Sequence, residues 1–211
     1  MQPLKAAELA AALPVEGTLP GYRVTGAPRS RTGGSTSDAG AKPEVCRPLW
    51  DARVGASATS AAWASVAIVP SDAALQTERL TFASYGPEQA DAYFASLEKA
   101  LDSCASLSFL SSYGDRATAE IEQLANPIVA GYVSVSFRMH WSFDRDGFKS
   151  DTYSLITTLR TGDATVTVMA DSSVGSQLSA SQKSAFMPQP DPDMLKSQAD
   201  KLREAQTRAA E

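Results

Sequence analysis

The sequence predicts an α+β protein in which helices pack on one face of an antiparallel β-sheet. Three observations favour this class: strand-like runs of apolar and β-branched residues, short glycine-containing turns between the later strands, and amphipathic helical patterns before and after them. Parallel neighbours need a crossover of a dozen or more residues, so these short turns predict an antiparallel meander in the C-terminal half. We expect about six to seven strands in all.

The N-terminal quarter predicts few regular elements. An alanine-rich pattern over residues 4–13 indicates a short helix, and residues 22–25 can form a brief strand. Residues 27–43 are dominated by Ser, Gly, Thr, Arg and Pro, with little to bury, and predict a flexible loop. Mixed spacings of three and four indicate another short helix over residues 45–54.

The strongest helical pattern follows two predicted strands, at 63–69 and 79–85. A proline start at Gly86-Pro87-Glu88 precedes a stripe with steps of four and three. That stripe consists of Ala90, Phe94, Leu97, Leu101 and Cys104. The remaining strands are expected at 107–113, 117–124, 129–144, 149–160 and 164–171, and a last helix is expected to begin at Asp191-Pro192.

Composition bounds the classes of protein that the chain can belong to. Its 211 residues suit one domain covering 1–211, and 43% hydrophobic against 20% charged residues excludes a wholly disordered chain. A net charge of −5 without a basic run argues against nucleic acid as a partner. No apolar run reaches the roughly 18 residues typical of a transmembrane helix, so any membrane association is expected through a lipid anchor outside this sequence.

The chain has two cysteines, Cys46 and Cys104, and one histidine, His140. These are too few for a four-ligand zinc site, so we expect neither a metal nor a cofactor. The cysteines are either buried free thiols or a disulfide, and we favour the disulfide because Cys104 lies on the apolar stripe of its helix. In the chain-entropy model, closing a loop of about 59 residues contributes about 4 kcal/mol. A disulfide implies an oxidising compartment.

The order of the elements and a few local sequences resemble a known family. They are Ala6-Ala7-Glu8-Leu9 before Leu19-Pro20-Gly21-Tyr22, then Cys46-Arg47-Pro48-Leu49, then Phe82-Ala83-Ser84-Tyr85 before a helix ending in Asp102-Ser103-Cys104. This layout is similar to the PknH-like extracellular sensor domains, which occur on actinobacterial receptor Ser/Thr kinases and on cell-envelope lipoproteins. The resemblance implies a secreted or lipid-anchored domain at the outer face of the membrane. The chain lacks a kinase domain and a second pair of cysteines, which favours the lipoprotein branch.

One predicted strand carries the candidate binding residues. Its polar face, the polar row, consists of Tyr132, Ser134, Ser136, Arg138, His140 and Ser142 and alternates with an apolar face. Such a row is commonly a solvated sheet face. The alternative is a surface for a polar or anionic ligand, and for that we select Tyr132, Ser134, Arg138 and His140. Catalysis by His140 lacks a recognisable nucleophile motif.

Three other patterns have ordinary structural explanations. The run from Asp144 to Gly147 resembles the start of a calcium loop but lacks the closing glutamate, and it predicts a hairpin turn. The pair Glu120 and Glu122 could serve glycoside chemistry, yet two glutamates on one strand face are usually solubilising. The tryptophans could line a carbohydrate groove, although aromatic residues of this kind are more often core residues. They are Trp50, Trp63 and Trp141.

These expectations combine into a non-enzymatic, extracytoplasmic domain of a cell-envelope lipoprotein that binds a small molecule or an envelope protein. The alternatives are a cell-wall hydrolase or esterase with an unrecognised site, and a purely structural surface protein. Turnover of ester or muropeptide substrates would favour the hydrolase or esterase over a binding domain. The absence of a cleft would favour the structural surface protein.

Overall fold

The computed structural model describes residues 2–34, 41–55, 57–72, 76–111, 114–145 and 147–210. These residues form one eight-stranded antiparallel sheet in the order β1-β2-β3-β8-β7-β6-β5-β4. The strands are β1 (Tyr22–Thr32), β2 (Ala62–Pro70), β3 (Gln76–Ser84), β4 (Ser106–Leu110), β5 (Arg116–Gln123), β6 (Val133–Arg145), β7 (Phe148–Thr161) and β8 (Ala164–Gly175).

Five α-helices and one 3-10 turn accompany the sheet in the described ranges. The helices are α1 (Ala6–Ala12), α2 (Arg47–Val54), α3 (Gln89–Ser103), α4 (Ala180–Ser184) and α5 (Pro192–Ala209), and the 3-10 turn, Glu44–Cys46, directly precedes α2. Asp191 caps α5 by accepting a hydrogen bond from the Met194 N–H, as the sequence predicts. The short helix α4 was not predicted.

The sheet consists of two meanders joined by one pairing. Strands β1 to β3 form the first meander, and β4 to β8 form the second, which confirms the predicted C-terminal meander. The two meet where β3 pairs antiparallel with β8, from Gln76 opposite Ser172 to Ser84 opposite Ala164. The predicted α+β class is therefore confirmed, while the predicted number of strands is slightly low.

Helices pack on both faces of the sheet, which corrects the expectation of one covered face. Helices α1 and α5 pack on what we call the closed face, against Phe82, Leu159 and Val166. Helices α2 and α3 pack on the opposite face, the cleft face, against Phe137 and Met139. An amphipathic stripe indicates that a helix buries one side, but it carries no information about which face of the sheet it meets.

The N-terminal loop is shorter than predicted. Strand β1 continues to Thr32, because its backbone pairs with β2 as far as Thr32 opposite Ala62, after a register shift between Thr25 and Arg29. This corrects the first part of the predicted loop at 27–43. Residues 35–40 lie outside the described residues, and Lys42 pairs with Ser108 in an isolated bridge.

The predicted disulfide is confirmed. Cys46, at the end of the 3-10 turn, is bonded to Cys104, the residue that follows α3. The bond holds the start of α2 against the end of α3. At its other end, α2 stops at Gly55, whose left-handed φ of 82° suits glycine. A Cβ atom at Gly55 would lie 2.4 Å from the Thr81 Cβ, so only glycine lets the helix end this close to the sheet.

Candidate ligand-binding cleft

A cavity of about 870 Å³, lined by described residues, lies on the cleft face. It opens between the end of α2, the β4–β5 hairpin and the β6–β7 hairpin. Five aromatic side chains line it, and we call it the aromatic cleft; they are Trp50, Phe109, Trp141, Phe143 and Phe148. Its charged lining residues are Arg53, Asp115, Arg116, Asp144 and Asp171.

The floor of the aromatic cleft is a set of buried, mutually packed rings. The Trp50 and Phe109 rings stack with centroids 4.5 Å apart, and Phe109 meets Trp141 edge-on at 5.5 Å. All three side chains are buried. Trp50 and Trp141 therefore belong to the core, as expected, and also line the cleft, while carbohydrate binding by the tryptophans stays a prediction.

Part of the rim of the cleft is apolar and open to solvent. Phe148 is 70% exposed at the start of β7, and Leu110 is 43% exposed at the end of β4. Both line the cavity. Arg145 pairs with Phe148 across the turn between β6 and β7, which confirms the hairpin turn predicted there. Exposed apolar side chains beside a concave site are a common feature of binding sites.

An arginine is fixed above the floor. The Arg53 guanidinium carbon lies 5.4 Å from the Trp50 ring centroid and 5.2 Å from that of Trp141, which is cation–π geometry. Its Nη2 lies 3.2 Å from an Asp171 oxygen, and Asp171 also accepts a hydrogen bond from Ser154. The cleft thus contains an arginine that aromatic rings and the Asp171 carboxylate hold in a fixed orientation.

The predicted polar row lies on the other face of the sheet, and contacts within the chain occupy most of its polar groups, while the buried Arg138 Nε and His140 Nε2 have no hydrogen-bond partner among the described residues. The Tyr132 hydroxyl donates to Asp200 of α5 at 2.6 Å, and Ser134 donates to the Pro127 carbonyl at 2.9 Å. Arg138 pairs with Glu122 at 2.6 Å and is 12% exposed. The 870 Å³ cavity is lined by Ser142 at the end of this row but by none of Tyr132, Ser134, Arg138 and His140, so ligand binding by those four residues stays a prediction.

His140 lies at the far end of the row in a charged cluster. Its ring stacks on Tyr153 at 4.6 Å, and its two nitrogens lie 3.6 Å from Glu120 and 3.5 Å from Asp151. The glutamates Glu120 and Glu122 therefore pair with His140 and Arg138, in line with a structural role.

Asp151 is the centre of that cluster. Lys183 of α4 lies 2.6 Å from one Asp151 oxygen, and Ser142 donates to the other at 2.5 Å. Burial works to raise the pKa of Asp151, but the hydrogen bonds from Lys183 and Ser142 outweigh it and hold the pKa below its ordinary value. Because Ser142 donates to the carboxylate, the described contacts do not include a serine held by His140 as a nucleophile would be.

Sequence reasoning missed most of the cleft. Arg53 lies on a helix where only the apolar spacing was interpreted, and its partner Asp171 is far away in the sequence. No local signal joins the two. Phe148 was a weak signal of a binding surface. It directly follows a turn glycine, where an aromatic side chain is expected to be exposed and does not improve solubility.

Comparison with known proteins gives a fold relationship. No protein-family model matches the chain, and no curated protein sequence matches it. The structure is similar to the extracellular domain of PknH from Mycobacterium tuberculosis, with a TM-score of 0.56, 12% identity and coverage of 98% of both chains. It also matches the Rv0999 ortholog of Mycobacterium smegmatis, with a TM-score of 0.42, 14% identity and coverage of 94% of this chain and 95% of that chain.

The predicted resemblance to PknH-like domains is thus confirmed at the level of the fold. An identity this low relates the architecture and carries no residue role from one protein to the other. Within the part of the chain that the structure describes, no helix has the length and apolar composition needed to cross a bilayer.

Proposed function

We propose that this chain is a non-enzymatic, extracytoplasmic sensor-like domain that binds a small-molecule ligand in the aromatic cleft. The observation that carries the proposal is a cleft of about 870 Å³ with an aromatic floor, an exposed apolar rim and an oriented guanidinium. Concave sites that combine apolar walls with fixed polar groups are typical of ligand pockets.

Two further observations support the location outside the cytoplasm. The Cys46–Cys104 disulfide suits an oxidising compartment. The fold is similar to that of an extracellular domain. We include in the proposal that the domain belongs to a cell-envelope lipoprotein and is held at the outer face of the membrane by its lipid anchor.

The proposal moves the expected site from the polar row to the cleft. The polar groups of Tyr132, Ser134 and Arg138 already have partners in the chain, so a ligand would have to replace those contacts. The cleft offers apolar area that is exposed without a ligand. Burying such area is favourable by about 25 cal/mol per Å².

Titration with Nile red, an uncharged apolar dye, tests the proposal. We expect saturable one-to-one binding with a rise in dye fluorescence. Phe148→Ser should weaken binding about tenfold by removing the rim, and Ser150→Trp should abolish it by filling the cavity that Ser150 lines. Phe186→Ser is the matched control, since Phe186 is exposed but does not line the cleft.

Two results would contradict the proposal. Equal losses in the Phe148 and Phe186 variants would mean that the dye binds exposed apolar surface in general. Turnover of ester or muropeptide substrates by the purified protein, abolished in a Ser142→Ala variant, would favour the hydrolase alternative.

A further inference from the structure

Arginines on β3 and β1 extend the cleft face beyond the aromatic cleft. Arg79 on β3 lies opposite Met169, which is buried on the cleft face, and Arg29 on β1 lies opposite Ser65. Ser65 in turn lies opposite Thr81, the residue beneath the end of α2. Directly paired residues point to the same side of a sheet, so Arg29 and Arg79 both lie on the cleft face. Both side chains are exposed.

These arginines are continuous with the aromatic cleft. Thr77 lines the cleft and lies opposite Asp171, the carboxylate that pairs with Arg53. Arg79 follows Thr77 by two residues on the same face, which corresponds to about 7 Å along the strand. We call Arg29, Arg53 and Arg79 together the arginine surface. A molecule in the cleft that reaches past Thr77 meets this surface directly.

The positive charge of the arginine surface is not balanced by the strands beneath it. Strands β1, β2, β3 and β8 contain two carboxylates, Glu78 and Asp171. Glu78 lies opposite Ile68, which packs on the closed face, so it points away. Asp171 is already occupied by Arg53 and Ser154. In the described part of the chain, no ion pair involves Arg29 or Arg79.

Arg79 lies within the electrostatic influence of Arg53 and Arg29. Loss of hydration and then the positive charges of Arg53 and Arg29 lower the pKa of Arg79 below its ordinary value, and Asp171 only partly offsets them. An anion bound among the three groups would relieve that repulsion. This local positive excess occurs on a chain whose net charge is −5.

We propose that the aromatic cleft and the arginine surface form one site for single amphiphilic molecules that carry a phosphate group. The apolar part would lie on the Trp50 and Trp141 floor, and the phosphate would be held by Arg29 and Arg79. Guanidinium groups bind phosphate oxygens in pairs of parallel hydrogen bonds, and two of them match a doubly charged group. This inference rests on the proposed function of the cleft and names its ligand class.

Calorimetric titration with decyl phosphate, decyl maltoside and decanoate, each below its micelle concentration, tests the inference. The three probes share an apolar chain and differ in the head group. We expect the wild-type protein to bind decyl phosphate at least tenfold more tightly than either of the others. The double variant Arg29→Gln/Arg79→Gln should lose this preference while keeping its affinity for decyl maltoside.

Arg208→Gln is the matched control for charge. Arg208 is exposed near the end of α5, which packs on the closed face, and its variant should keep the phosphate preference. Equal affinities of the wild-type protein for the three probes overturn the inference, as does equal weakening in the Arg208 variant. If the three probes bind equally but Nile red binding still depends on Phe148, the phosphate inference fails while the proposed function of the cleft stands. The failure of the inference can therefore be told apart from the failure of the proposed function.

Vesicles separate a single bound molecule from a membrane surface. We expect the protein not to co-float with phosphatidylglycerol vesicles any more than with phosphatidylcholine vesicles, because the apolar part must enter a concave cleft. Co-flotation that needs Arg29 and Arg79 but persists in the Ser150→Trp variant, whose cleft is filled, overturns the inference in favour of a membrane-docking face.

Discussion

The two faces of the sheet differ in how completely helices cover them. On the closed face, the 18-residue helix α5 spans about 27 Å and buries an aliphatic core together with α1. On the cleft face, the 8-residue helix α2 spans about 12 Å and the 15-residue helix α3 about 22 Å, whereas β6 has 13 residues and is about 43 Å long. The strands extend beyond their helical cover on that face. The cleft is the concave space beside α2 that the helices leave uncovered.

The faces also differ in how their polar groups are used. On the closed face, Tyr132, Arg138 and Asp151 are engaged by side chains of the same molecule. On the cleft face, Arg29 and Arg79 have no such carboxylate partner among the described residues. Polar groups on a covered sheet face are typically paired within the fold. Unbalanced charge on the cleft face therefore distinguishes this face, as a candidate binding site, from the closed face.

The largest effect is expected from the disulfide, which anchors the cover of the cleft face. The double variant Cys46→Ser/Cys104→Ser should lower the free energy of unfolding by about 4 kcal/mol, because the unfolded chain gains the entropy of an open loop. Urea denaturation monitored by circular dichroism measures this. A loss below about 1 kcal/mol would mean that α2 and α3 hold together without the bond.

The next largest change in the free energy of unfolding is expected when one leucine on each face is replaced. Leu202→Ala on α5 should lower the free energy of unfolding by about 3 kcal/mol, since it leaves a cavity in a fully buried core. Leu110→Ala at the cleft rim removes the same atoms from an exposed position and should cost less than about 1 kcal/mol. Similar losses in the two variants would show that the cleft face is as closely packed as the closed face.

A pH effect is expected from Glu78, which is buried on the closed face. Burial, and then the negative charge of Asp191, raise the pKa of Glu78 to about 7. The folded state therefore holds a proton that the unfolded state has lost, so stability falls as pH rises from about 4.5 to 7 and then levels off. One pKa unit corresponds to about 1.4 kcal/mol, and for this shift we expect a total fall of about 3 kcal/mol.

Comparison with Glu78→Gln isolates that effect from other titrating groups. Urea denaturation of both proteins at pH 5 and pH 8 should show a smaller fall in the variant, because glutamine does not ionise. Asp191 and the Tyr22 hydroxyl that donates to it are present in both proteins. An equal fall in the two proteins would assign the pH dependence to groups other than Glu78.

The smallest effect is expected from Arg138→Ala in the polar row. Its partner Glu122 is largely exposed, so losing the ion pair should change the free energy of unfolding by less than about 1 kcal/mol. Nile red affinity should stay within twofold of the wild-type value. A marked loss of affinity would return the binding site to the row that the sequence first suggested.

Local patterns predicted the elements better than their arrangement. The spacing of Phe94, Leu97 and Leu101 predicted α3 because a helix needs only its own periodicity to be recognised. The second half of β1 was missed because it is an edge strand that stays exposed and pairs only with β2, so it has no alternating apolar pattern. The faces onto which the helices pack depend on connections that no single segment contains.

The binding site was less predictable than the fold for the same reason. The Arg53–Asp171 pair joins side chains that are 118 positions apart, and the register of Arg29 and Arg79 depends on three strands. By contrast, the polar row was visible because alternation within one strand is local. That visibility says nothing about whether other parts of the chain cover the row.

The pairing of β3 with β8 has a consequence for how the protein folds. Each meander can form from neighbouring segments, but this pairing brings together residues such as Thr77 and Asp171, which are separated by most of the second meander. Contacts between distant segments form slowly, because the chain loses entropy before it gains them. The aromatic cleft and the arginine surface meet along this pairing. The complete binding site is therefore expected to arise late in folding, and a newly made chain with only its first meander in place would have no ligand site to offer.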